Sequence, residues 1–297
     1  MIESDASTRR AACDMSPQAA RHELTSALRS ESLPGVKTRG LSGVGGLLVL
    51  LLVSCGGGAI SADASSSSDT GGTTDGGGAV VTLRNGLAGA WSFDLVGQEG
   101  KDSSGQGLDL DVAGVPTTTG RFGKALQFAG PGSPLALRHI SDPSLDLATG
   151  DFTVSFWVAF KMTGSPQFVT VKGYADGGWF VGWAQTQWAY GLPSPAGGTF
   201  ADPAGSPTTG TFHHVVFQRS ADTAQMFVDG KSVGTVTIKD SPTPGAAPFQ
   251  VGGYSTGGVA TSDKVVNGAV DDVAIWHRAL GGDELAYLAT HAVPTGP

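Results

Sequence analysis

From about residue 80 onward, apolar residues recur at every second position in short runs, and clusters of Gly, Pro, Asp and Ser break the runs apart. Residues 88–93, 125–128, 134–140, 152–160, 167–171, 212–217, 224–228 and 231–238 all follow this rhythm. Side chains alternate across a strand, so a period of two buries one face of each segment and predicts β-structure. Many such segments at close spacing predict an antiparallel sandwich or barrel. Asp229-Gly230 between two of them is a tight hairpin signal, because both central residues of that turn need positive φ. One helix is expected, over residues 282–291, with Asp283 and Glu284 in the first turn where the helix dipole favours negative charge.

The front of the chain obeys different rules. Lys37 and Arg39 precede an uncharged apolar core whose continuous part runs from Leu47 to Val53. A basic stretch, a short apolar core and then small residues are the layout of a secretory signal. The core is far shorter than the roughly 20 apolar residues that span a bilayer. Residues 1–36 are more than a bacterial signal needs ahead of its basic stretch, and a start assigned upstream of the native one accounts for them. Residues 56–78 hold almost nothing but Gly, Ser, Thr, Asp and Ala, too little apolar surface to offset the entropy of ordering, so they read as a tether. The expected organisation is a leader and signal over 1–54, Cys55 with the tether over 55–80, and one β domain over 81–297.

Composition narrows the function. Gly (46) and Pro (16) make up about a fifth of 297 residues, against a usual share of about 12%. Charged residues are only 15% and the net charge is −8, which argues against coiled coils and nucleic-acid binding. Two cysteines are too few for a disulfide framework or a thiolate zinc site.

Two resemblances add to this reading. Leu52-Val-Ser-Cys55 resembles the bacterial lipobox, which implies that Cys55 is lipidated and begins the mature chain. Gly56 follows it where an Asp would imply inner-membrane retention, so the resemblance favours the outer membrane, with the domain facing periplasm or exterior. Trp91-Ser-Phe-Asp94, Asp102-Ser-Ser-Gly105, the 120–128 segment, Pro143-Ser-Leu-Asp-Leu147, 150–158, His213-His-Val-Val-Phe217, Phe227-Val-Asp-Gly-Lys231 and 268–280 follow one another in order. This series resembles the laminin G-like branch of the concanavalin A-like lectin/glucanase superfamily. It implies an all-β jelly roll of two packed antiparallel sheets over roughly residues 86–292, with the short helix at its end.

That superfamily includes glycosidases, which need a pair of carboxyl groups about the scissile bond. The only Glu residues in the domain are Glu99 and Glu284, near its two ends, so the Glu-x-Asp-x-x-Glu strand of the laminarinase-like relatives is absent. Asp109 and Asp111 are the nearest substitute and read better as solvent-facing alternation. His213 and His214 are adjacent, hence on opposite faces of a strand, and cannot share one metal ion. No catalytic residue is expected.

The resemblance implies a structural Ca²⁺ where the first and last strands meet, with Asp94, Asp102 and Asp271 as its expected ligands. Asp271 is chosen over Asp272 because strand alternation lets only one of them face the site. Trp183, Trp188 and Tyr190 are the expected ligand-binding aromatics, with a hairpin setting Trp183 opposite Trp188 and exposed indoles stacking on sugar rings. Trp91, Trp157 and Trp276 are expected in the core. The Gly- and Pro-rich stretch 193–207 reads as a long loop suited to recognition. The expected function is an envelope-anchored, non-catalytic module binding a glycan or a cell-surface protein, with a membrane partner through its lipid. A divergent glycoside hydrolase and a purely structural envelope protein are the alternatives.

Overall fold

In the 152–160 run the even-numbered residues Phe152, Val154, Phe156, Val158 and Phe160 all face one core, and Thr153, Ser155, Trp157 and Ala159 take the other side. That strand, β5 (Phe152–Phe160), is buried along its whole length, so it must lie in the middle of a sheet with both faces covered. The computed structural model describes residues 82–147, 149–161, 164–173, 178–192, 197–238, 247–255 and 264–294. All of them belong to one unit, Asp69–Pro297. The leader, Cys55 and the tether lie outside the described residues.

Two antiparallel sheets form the body. The first runs β12 (Lys231–Thr237), β11 (Thr223–Val228), β10 (His213–Ser220), β5, β14 (Asn267–Trp276), β3 (Lys124–Ala129), β2 (Thr117–Thr119). The first strand, β1 (Leu87–Trp91), pairs with the far half of β14. The second sheet runs β4 (Ala136–Leu137), β13 (Phe249–Val251), β6 (Gln167–Lys172), β7 (Trp179–Ala184), β8 (Gln187–Gly191), β9 (Gly197–Phe200). The main core lies between them and includes Phe156, Val169, Val181, Phe217 and Ile275. A second apolar cluster sits on the outer face of the first sheet, where Leu280, Leu285 and Leu288 cover Ala90, Ala274 and Trp276. Leu285 and Leu288 come from the helix α1 (Gly282–Leu288), and the Glu284 carboxylate closes its N-terminus by accepting the Gly281 N–H at 2.8 Å.

Within the expected 193–207 loop, Gly197–Phe200 instead forms the edge strand β9, because its backbone pairs with β8 from Gly191↔Gly197 to Trp188↔Phe200. At the Asp229-Gly230 hairpin both residues have positive φ, 49° and 74°, and Val228 pairs with Lys231, as the sequence signal requires.

Candidate functional site

The acidic candidates do not assemble as expected. Asp102 is buried, and both its oxygens are taken up by its own chain. Oδ1 accepts the N–H groups of Ala90 and Ser104, and Oδ2 accepts the Leu108 N–H and the Ser104 hydroxyl. It fastens the 102–108 loop to β1 and has no lone pair turned toward an ion. Asp94 lies three residues past β1 and accepts the Lys124 N–H at 2.7 Å. Asp271 accepts the Phe122 N–H at 3.0 Å and the Asp272 N–H at 2.9 Å. Asp94 and Asp271 therefore hold the two sides of the turn between β2 and β3. Gly120 and Gly123 make room for them: a Cβ on Gly123 would stand 2.0 Å from the Asp94 carboxylate, and one on Gly120 would stand 2.4 Å from Asp271. Among the described residues, no three His, Cys, Asp or Glu side chains are placed to hold a metal ion. The expected calcium ligands thus do not fit a shared cation, because Asp102 is fully bonded elsewhere.

Strand alternation also fails between Asp271 and Asp272. The register of β14 against β5 shifts between Asp271 and Ala274, and Asp272 adopts φ 46°. Two residues now stand between the inward-facing Val270 and Val273, so the bulge keeps both carboxyl groups out of the main core. Both are nevertheless buried, at 0% and 2% exposure, and neither Asp272 oxygen makes a well-formed hydrogen bond, the Val293 amide opposing its protonation only weakly. Burial raises the Asp271 pKa to about 7, with Asp94 adding to the rise, while N–H groups of Phe122 and its neighbours oppose it. Burial, then the Asp271 and Asp94 charges, raise Asp272 to about 8. The pair is built to hold protons.

The aromatic candidates lie inside. Trp183 and Trp188 pair across the β7–β8 hairpin, edge to face at 5.2 Å, as the sequence predicts. Both are completely buried, however, and Tyr190 is 5% exposed, stacked on Phe200 and Phe217. The expectation of exposed indoles is therefore corrected. Alternation on β7 and β8 turns these rings toward the first sheet, where burying 150–250 Å² of each stabilises by roughly 4–6 kcal/mol relative to exposure. Trp91 and Trp276 are buried as expected; Trp157 is buried too, on the outer face, under the Arg121 guanidinium at 5.0 Å.

Trp188 leads to the surface by its polar edge. Its indole N–H donates to Asp202 Oδ2 at 3.2 Å, and Asp202 Oδ1 accepts the Ala204 N–H. A groove of about 400 Å³ opens there, between residues 202–208 and the β11–β12 hairpin. Asp202, Thr208, His213, Asp229, Lys231 and Ser232 supply its polar wall. His213 Nδ1 lies 2.8 Å from Asp229 Oδ2, and its Nε2 accepts the Thr208 N–H at 3.1 Å, which assigns the proton to Nδ1. Asp229 Oδ1 accepts the His214 N–H. Burial pushes the Asp229 pKa up, but hydrogen bonds from the His213 ring and the His214 amide outweigh it and hold the carboxyl below its ordinary value. Sequence reasoning missed Asp202, Asp229 and Lys231. Only the Gly- and Pro-rich stretch pointed to this end of the sandwich.

Three other features read as structural. Asp94 and Asp102 line a wider cavity of about 650 Å³, but the Ser103 and Ser104 hydroxyls on its wall bond to their own chain. Asp109 and Asp111 bond to Lys101 and His139 on the surface and form no facing pair on a named strand. His214 is buried with Ser155 Oγ 2.8 Å from its Nε2, and burial lowers its pKa to about 4 despite the Asp229 charge.

The family model of the concanavalin A-like lectin/glucanases superfamily, of laminin G type, matches residues 137–286. The chain belongs to this superfamily. The two-sheet body agrees with solved structures at low identity. The binding domain of Paraclostridial mosquitocidal protein 1 is 16% identical with a TM-score of 0.56, over 70% of this chain and 52% of that one. Domain 4 of AbnA, a GH43 extracellular arabinanase from Geobacillus stearothermophilus solved with arabinotriose, is 19% identical with a TM-score of 0.53, over 68% of this chain and 98% of that one. The botulinum neurotoxin serotype G binding domain is 14% identical with a TM-score of 0.53, over 68% and 50%. The chain thus spans about half of either toxin binding domain. No curated protein matches its sequence. These neighbours share the fold with this superfamily member; the groove must be read from its own residues.

Proposed function

We propose that this chain is an envelope-anchored, non-catalytic recognition module that binds carbohydrate in the groove between residues 202–208 and the β11–β12 hairpin. The observation that carries the reading is the polar wall of that groove. Asp202 and Asp229 are each fixed by two N–H donors, yet each carboxylate oxygen accepts only one of them and keeps a lone pair for a ligand hydroxyl. A glycosidase groove would need a carboxyl group held protonated to deliver its proton to the leaving oxygen. The hydrogen bonds to Asp229 act in the opposite direction and favour its charged form.

The domain 4 neighbour solved with arabinotriose and the two toxin binding domains support a binding role for this fold. The anchor rests on Cys55 just after an apolar core, followed over residues 56–78 by a tether whose one large apolar side chain is Ile60. A diacylated cysteine supplies two chains, at about 0.8 kcal/mol per buried methylene, as stable anchoring requires. Calcium is not part of the proposal, because its expected ligands do not fit a shared ion. Titration of the full-length protein with a panel of oligosaccharides tests the binding role, and loss of binding in Asp229→Asn and Asp202→Asn is expected. Absence of binding across the panel would remove the reading. Mass spectrometry of the native N-terminus tests the anchor separately, with a diacylated Cys55 as the expected first residue.

A further inference from the structure

Resting on the groove as the ligand site, we infer that its ligand is an oligosaccharide without acidic groups, read by its hydroxyl configuration, with Asp202 and Asp229 accepting, Lys231 donating, and His213 positioning Asp229. Two carboxylates face the groove and one ammonium stands against them. A uronate or sialate would meet more negative than positive charge, and taking those charges out of water together is unfavourable. Sugar hydroxyls instead donate to carboxylates in short, charge-assisted bonds. Ser232 Oγ accepts from Gln225 Nε2, which leaves its own proton for the ligand beside the Lys231 ammonium.

Among the described residues that line it, the groove has no aromatic platform. Trp188 is fully buried and presents its N–H edge to Asp202, not its face to the groove. Ring stacking tolerates many sugars, whereas a site built on directed acceptors loses a charge-assisted hydrogen bond when one hydroxyl points the wrong way. Discrimination between epimers follows. His213 does not reach the ligand as an acceptor, since Nε2 already takes the Thr208 amide. Its Nδ1–H fixes the orientation of Asp229, and its Nε2 ties the 202–208 segment to β10.

Calorimetric titration of the full chain with neutral and uronic-acid oligosaccharides of matched length tests this. Neutral ligands should bind at least tenfold tighter than the acidic class, and epimers at one hydroxyl should differ by about tenfold or more. Asp202→Asn and Asp229→Asn should each weaken binding about tenfold or more; each amide keeps only one of the two N–H bonds its carboxylate accepted, so the titrations are run well below the melting temperature of each variant. His213→Ala should weaken binding, and His213→Asn, whose amide can donate from near the Nδ1 position, should restore most of it. Tighter binding of an acidic oligosaccharide overturns the ligand class while leaving a carbohydrate-binding groove standing. Neutral binding that ignores the Asp202 and Asp229 substitutions overturns the groove itself. No binding of any class overturns both this inference and the reading beneath it.

Discussion

Replacing Asp272 by Asn tests the most unusual local feature of the fold. Asp272 is 2% exposed, makes no well-formed hydrogen bond with either oxygen, and stands beside the buried Asp271. Its carboxyl is raised from an ordinary 3.8 to about 8, and that of Asp271 from 3.8 to about 7. A carboxyl raised on folding favours the native state while protonated, so its contribution is complete below the ordinary value and disappears as pH rises through the raised one. The distance from 3.8 to about 8, at about 1.4 kcal/mol per pH unit, sets a ceiling of roughly 6 kcal/mol. Most of that fall precedes neutral pH; above pH 6.5 about 1.5 pH units of it remain for Asp272, roughly 2 kcal/mol, which relaxation, water entry and proton sharing with Asp271 reduce to on the order of 1–2 kcal/mol. For a domain of this size that is a drop in melting temperature on the order of 2–8 °C. His214, lowered to about 4 from 6.5, loses its contribution as pH falls through that range, so the comparison starts at about pH 6.5 and ends at about pH 9. Calorimetry with chelator present should show the native protein losing stability upward through this window. Asp272→Asn, neutral at every pH, should flatten most of the slope and melt higher at the alkaline end. A flat native profile refutes the reasoning. So does a large stabilisation by added Ca²⁺ near neutral pH, which would mean that metal and not protons neutralises the pair.

Two further substitutions test the corrected assignments. Trp188→Ala should cost about 3–5 kcal/mol in denaturant unfolding, as large-to-small changes in a core do, whereas an exposed stacking ring would cost under about 1. Gly123→Ala should destabilise by about 2 kcal/mol or more, because φ is 58° and the new Cβ would meet the Asp94 carboxylate; a neutral result would show that Asp94 does not hold this turn.

The strands were legible because burial of one face writes itself into a period of two, and β5, β10 and the β11–β12 hairpin follow that rule closely. The facing of Trp183 and Trp188 was legible for the same reason, since a short turn leaves one register. Their burial was not, because alternation names two faces without saying which is inside. Asp272 was misjudged where a bulge breaks alternation, and no residue type in Asp271-Asp272-Val273 announces one. The groove was illegible for a different reason. Asp202, His213 and Asp229 come from separate segments, and only the pairing of β8 with β9 and of β10 with β11 brings them together.

β14 is central to the first sheet, flanked by β5 on one side and by β3 and β1 on the other, and the Trp276 indole reaches the Leu83 carbonyl 193 positions away. A ribosome therefore finishes nearly all of the domain before the strand that closes the sheet exists. Until then β1 has no partner strand, and β3 and β5, paired on one side with β2 and β10, each keep one open edge on which other chains can pair. The first sheet can close only after β14 has been made, so its assembly order is set by the last strand rather than by the first.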